Sequence, residues 1–157
     1  MRGWAIGISA VAVFGAFALL ALVSDADSPH ATRMADDADT YWRPFSRARL
    51  DELRGEGTPV FIDFTAAWCI TCKVNERIVL GDAAVRGALL DAGVAMLRAD
   101  WTRQDPEITR ELEANGRLGV PLYLFYPKPK RGDDRPSPIV LPQILSAESL
   151  LREVRNN

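Results

Sequence analysis

Cys69-Ile70-Thr71-Cys72 is the segment of this chain whose residue types and spacing could carry covalent chemistry. Two thiols separated by two residues lie one helical turn apart, so one can attack a foreign disulfide and the other can then displace it. The 157 residues hold no other Cys and a single His, His30, which sits beside a proline in a polar stretch. A Ser-His-Asp triad, a multi-His metal centre, an all-Cys zinc site and a disulfide scaffold are thereby excluded. Two other readings of the pair compete with exchange chemistry. Soft thiolates suit copper(I), so a two-thiolate copper carrier or adaptor is one. A permanent staple is the other, weakened by the shortness of the loop it would close. No cofactor and no resident metal are expected.

The elements around the cysteines explain the spacing. Pro59 to Ala66 is a nearly continuous apolar run, as expected of a strand covered on both faces. A helix is expected to begin at the cysteines and continue to about Leu80, with Gly81 as its stop. A helix N-terminus presents unpaired N–H groups and partial positive charge, which favours thiolate over thiol. Cys69, at the helix end, is therefore the expected nucleophile, and Cys72 the more buried resolving thiol. Trp68 precedes the pair and Lys73 follows it; the lysine is read chiefly as a solvated side chain. Asp63 lies inside Phe61-Ile62-Asp63-Phe64, where burial raises a carboxyl pKa. It is the candidate proton acceptor for a thiol, against the alternative of a structural carboxylate.

Strand and helix signals alternate from Tyr41 onward. Tyr41 to Arg47 is a weak strand candidate, and Arg47 to Arg54 carries Leu50 and Leu53 at helical spacing. Asp82 is the expected N-cap of a helix ending at Gly93, and Val94 to Trp101 reads as the next strand. Asp105-Pro106 supplies a cap and first-turn proline for a helix through Asn115. Leu122 to Tyr126 and Ile139 to Leu141 are two further strands, joined by a Pro- and charge-rich loop read as a solvated insertion. Ser146 caps a last helix with Leu150, Leu151 and Val154. The order β-α-β-α-α-β-α-β-β-α predicts an α/β fold, a mixed central sheet with helices on both faces.

The first 40 residues have a different character. Trp4 to Val23 is a run of 20 uncharged residues in which only Gly7, Ser9 and Gly15 are not apolar. As a helix it would be about 30 Å long, enough to cross the hydrocarbon core. Residues 1–23 are thus read as an uncleaved membrane anchor, with a signal peptide cleaved near Ser24-Asp25-Ala26 as the alternative. Arg2 on one side and Asp25, Asp27, Asp36, Asp37 and Asp39 on the other orient the chain with its N-terminus inside and everything after residue 24 exported. Residues 24–40 contain no Phe, Tyr or Trp and no Leu, Ile or Val, so they are read as a flexible acidic linker. Residues 41–157 form the single folded domain. A formal charge of -2, from 19 Lys and Arg against 21 Asp and Glu, provides no footprint for nucleic acid.

Asp63, six residues before Trp68-Cys69-x-x-Cys72-Lys73, followed by Gly119-Val120-Pro121 entering a strand, resembles the thioredoxin superfamily. The stretches Phe64 to Glu76, Ala99-Asp100-Trp101-Thr102, Gly119 to Tyr123 and Val140 to Leu145 are most similar to the C-terminal periplasmic domain of DsbD-type thiol:disulfide interchange proteins and their Scs-type relatives. The resemblance implies a thioredoxin-like fold over residues 41–157 and a cis peptide before Pro121. It also implies a substrate-binding surface of Trp68, Ile70, Thr71, Val120 and Pro121, in which the Val120 backbone pairs with a substrate segment. The Ile70-Thr71 centre differs from the Gly-Pro of thioredoxin, so thioredoxin's redox poise does not carry over; potentials in this group differ by about 150 mV. In DsbD-type proteins such a domain follows a multi-span electron-conducting domain. The expected anchor here contains no cysteine, so a separate DsbD- or CcdA-like membrane donor is expected to supply electrons. The chain is thus expected to be a monomeric, membrane-tethered periplasmic oxidoreductase that reduces disulfides of exported proteins, or alternatively an oxidase or isomerase of the same fold.

Overall fold

A computed structural model describes residues 41–131 and 135–157. The expected anchor and acidic linker lie outside the described residues, and among those described no helix is long and apolar enough to cross a membrane. The order of elements is the one the sequence predicts. β1 (Trp42–Pro44), α1 (Arg47–Gly55), β2 (Val60–Thr65) and α2 (Ile70–Asn75) are followed by a π-helical turn, Glu76–Leu80. Then come α3 (Ala83–Asp91), β3 (Ala95–Asp100), α4 (Pro106–Ala114), β4 (Leu122–Tyr126), β5 (Ile139–Leu141) and α5 (Ala147–Arg155).

The five strands lie in the order β1-β3-β2-β4-β5. β3 runs parallel to both β1 and β2, whereas β4 is antiparallel to β2 and to β5. β2 is thus central, and every one of its residues is buried, the reason its sequence is nearly unbroken in apolar residues. Alternation along the strands divides the core in two. Val60, Ile62 and Phe64 face a layer that includes Leu50 and Leu53 of α1 and Ile108 and Leu112 of α4. Phe61 faces the opposite layer, with Val85 and Leu89 of α3 and Leu150 and Val154 of α5.

Helix ends fall where the capping chemistry places them. Ser46 Oγ accepts from Arg49 N, Asp82 Oδ1 from Ala84 N and Val85 N, Asp105 Oδ1 from Glu107 N and Ile108 N, and Ser146 Oγ from Ser149 N. Each cap satisfies N–H groups that have no partner within the helix. One boundary and one helix type differ from expectation, while the stop at Gly81 falls where expected. β1 has only three residues, because Arg47 already opens α1. The helix after the cysteines widens at Asn75, and Gly81 N donates to Glu76 O at 2.7 Å, closing a wider ring than an α-helix has. A Cβ on Gly81 would stand 3.0 Å from Arg77 O, which is why glycine ends this turn.

Candidate active site

The sharp exit from β2 decides where the cysteines stand. After Thr65 the chain turns through Ala66-Ala67-Trp68, and Cys69 is the N-cap of α2, its Sγ accepting from Cys72 N at 3.2 Å. The two cysteines form a disulfide, with Cα atoms 5.3 Å apart. Cys69 retains 7% exposure whereas Cys72 has none. A sulfur at a helix N-terminus receives the partial charge of the peptide dipoles, so the same arrangement stabilises a thiolate once the pair is reduced.

The turn before Cys69 is pinned from β3's end. Thr102 Oγ1 accepts from Ala67 N at 2.8 Å, and Trp68 Nε1 donates to Thr102 O at 3.2 Å. Thr102 is itself held by Asp100, whose Oδ1 accepts from both its N–H and its hydroxyl. Those bonds keep the Asp100 carboxyl below its usual range. Trp68 leans on Trp101 with ring centroids 6.0 Å apart, and Trp101 Nε1 donates to Thr109 Oγ1 at 2.8 Å. Thr102 belongs to the motif quoted above, yet its anchoring role had no local signal; it is seen only once β3 lies beside β2.

Beneath α2, sheet register gathers a polar set. Asp63 is the register partner of Arg98 on β3 and of Tyr123 on β4, so all three project from the sheet face that α2 covers. Asp63 is completely buried. Arg98 Nε stands 3.5 Å from Asp63 Oδ2, an ion-pair separation, and neither carboxylate oxygen accepts a hydrogen bond from a described residue. Burial pushes the Asp63 carboxyl up from 3.8 to about 7, opposed by the charge of Arg98, reinforced by Glu76 and opposed again by Lys73. The Arg98 guanidinium also stacks over the Trp42 ring, 4.5 Å from its centroid. Lys73 Nζ is bonded to both oxygens of Glu76, at 3.1 and 2.9 Å. Much of its field is spent there, in keeping with the modest role the sequence assigns it. Glu76 also accepts from Thr65 Oγ1.

The remaining wall comes from the far end of the chain. Val120 packs against Ala66, Cys69 and Cys72, and the Val120–Pro121 peptide is cis. Trp68, Ile70 and Thr71 are exposed around Cys69, whereas Val120 is half-buried and Pro121 is buried. Leu118 and Ile144, 94% and 80% exposed, were not singled out. Neither lies in a periodic pattern that would distinguish it from a loop residue.

A mixed sheet with a cysteine at a helix N-terminus that keeps a sliver of exposure, a fully buried partner cysteine and a buried acid define a disulfide oxidoreductase of the thioredoxin-like class. The chain belongs to the thioredoxin-like family, whose model matches residues 41–128. Within it the chain is similar to DsbD-type proteins. It is 40% identical over 79 residues to thiol:disulfide interchange protein DsbD 1 of Pseudomonas aeruginosa, covering 50% of this chain and 13% of the relative. It is 31% identical over 113 residues to DsbD of Yersinia enterocolitica, covering 72% of this chain and 18% of that protein. The chain therefore matches less than a fifth of these relatives' length. Among solved structures, the oxidised C-terminal domain of Neisseria meningitidis DsbD superposes with a TM-score of 0.53 at 22% identity, covering 73% of this chain and 97% of that domain. A Thermus thermophilus thioredoxin superposes with a TM-score of 0.55 at 22% identity, over 73% of this chain and 84% of that one. Both share the fold.

Proposed function

We propose that this protein is a membrane-tethered, periplasm-facing reductase of disulfides in exported proteins. The observation that carries the reading is the asymmetry of the pair: Cys69 is reachable at the start of α2, whereas Cys72 is fully buried above the sheet face that holds Asp63. In the reduced protein the Cys69 thiolate attacks one sulfur of a substrate disulfide and expels the other as a thiolate, leaving a mixed disulfide. Cys72 then gives its proton to Asp63, and its thiolate attacks the Cys69 sulfur. The substrate's second sulfur departs as a thiolate, and the Cys69–Cys72 disulfide forms. Two electrons have passed from the dithiol to the substrate. A carboxyl poised near 7 suits a group that must accept a proton at neutral pH and release it again.

Trp68, Ile70 and Thr71 on one side and the Val120-Pro121 turn on the other would hold the substrate segment, with the Val120 backbone pairing to it. Residues 1–23 would anchor the protein and 24–40 would tether the domain, at a span of about 22 Å for a coil of that length. A separate membrane dithiol protein would return the pair to its reduced state. Likeness to relatives named as thiol:disulfide interchange proteins supports the exchange chemistry.

Cys72→Ser is expected to accumulate mixed disulfides through Cys69 in the exported fraction, seen as high-mass bands that collapse on reduction. No trapped partner would count against exchange. The equilibrium potential of the Cys69–Cys72 pair decides direction: a value near thioredoxin's, about -270 mV, supports a reductant, and one near about -120 mV would make it an oxidant. A tight stoichiometric copper(I) complex with negligible disulfide turnover would favour metal carriage instead.

A further inference from the structure

Asn75 is the last residue of α2, one turn beyond Cys72, and its side chain is buried. A buried primary amide is costly unless bonded, and a leucine would fill such a site more cheaply. Its Nδ2 donates to Tyr123 Oη at 2.9 Å and to the Gln143 carbonyl at 2.7 Å. A carbonyl accepts only, so the amide orientation is dictated by its partner. Gln143 in turn donates from Nε2 to the Pro121 carbonyl at 3.3 Å. Pro121 lies two residues before Tyr123 at the start of β4, so these bonds close a ring: α2 to the turn between β5 and α5, that turn to the cis-proline turn, and β4 back to α2. The ring joins three segments that are far apart in sequence; one carries Cys72, and a second packs against the disulfide through Val120. The segments it joins also carry the exposed apolar side chains Ile70, Leu118 and Ile144.

We propose that Asn75 and Gln143 are positioning residues for polypeptide substrates: they hold the cis-proline turn and the Ile144 turn in register with Cys69. The inference rests on the reading of the protein as a disulfide reductase. A polypeptide must lie along Val120 while its sulfur meets Cys69, so it needs both turns in place. A small disulfide needs only the sulfur. Neither residue touches the reacting sulfurs, and the chemical step is left intact when the ring is opened.

The test compares single-turnover reduction of insulin with that of 5,5′-dithiobis(2-nitrobenzoic acid) by the full chain, reduced beforehand and freed of the reductant, with kcat/KM taken from the dependence of the rate on substrate concentration. Gln143→Met removes the Nε2 donor from an exposed position, so folding is not at risk; Asn75→Asp replaces the donor by an acceptor that faces the Gln143 carbonyl. For both variants kcat/KM with insulin is expected to fall about three- to ten-fold, the effect of one or two lost hydrogen bonds, chiefly through KM. With the small disulfide it is expected to stay within about two-fold of the unaltered protein. Gln143→Glu, which likewise offers no donor to the Pro121 carbonyl when ionised, is expected to behave as Gln143→Met, and Gln143→Lys, which restores one, to recover most of the insulin activity. Equal losses on both substrates, or no loss with Gln143→Met, would overturn the proposal while leaving the reductase reading in place. Failure of the unaltered chain to reduce either substrate would overturn both.

Discussion

Asp63 combines an expensive location with a useful one. Its carboxyl is fully buried and titrates near 7, against 3.8 in the open chain. Because the folded value is the higher, this group's contribution to stability is greatest below about pH 4 and is lost as pH climbs through 7. Asp63→Asn removes the buried charge but also leaves Arg98 without that counter-charge, so the gain is partial. Unfolding in urea is expected to show the variant more stable by about 1–3 kcal/mol at pH 8 and little changed at pH 4. Resolution of a mixed disulfide at pH 7 should slow by about a hundred-fold, since the proton acceptor is gone. Undiminished resolution in stopped-flow measurements would mean that Asp63 is only a structural carboxylate.

At the scale of elements, position and stability separate cleanly. α2 owes its place to the turn Ala66-Ala67-Trp68, which Thr102 holds, whereas α3 lies apart from the disulfide and is started by Asp82. Asp82→Ala removes the acceptor of two N–H groups and should cost about 1 kcal/mol in urea unfolding, with no change in disulfide exchange. Thr102→Ala removes the hydroxyl that accepts from Ala67 N and donates to Asp100 next to Cys69, and is expected to slow exchange as well as to destabilise. If the two variants lose activity equally, the turn has no special role in presenting the cysteine. The caps of α3, α4 and α5 were legible in the sequence because a cap is a local event. The π-helical turn after Asn75 was not, since the widened ring leaves no mark in a pattern read at 3.6 residues per turn.

For the whole molecule the prediction concerns attachment. With residues 1–23 as an uncleaved anchor, the full chain should remain with membranes after alkaline carbonate extraction and keep Met1 or Arg2 at its N-terminus. A soluble product beginning near residue 26 or 27 would establish cleavage instead. On the proposed reading the folded domain is exported in both cases, and a dithiol there needs continual reduction. What the sequence by itself determined about this protein is the order of strands and helices, the capped starts of α3, α4 and α5, the redox pair and the buried acid. Each of those is written in residues within about one turn or strand length of one another. Only the tertiary structure decided that Arg98 and Tyr123 flank Asp63, that Thr102 pins the turn before Cys69, and that Asn75 reaches the Gln143 carbonyl 68 residues away. Strand register and helix placement create those contacts, and nothing in the local pattern around either partner specifies the other.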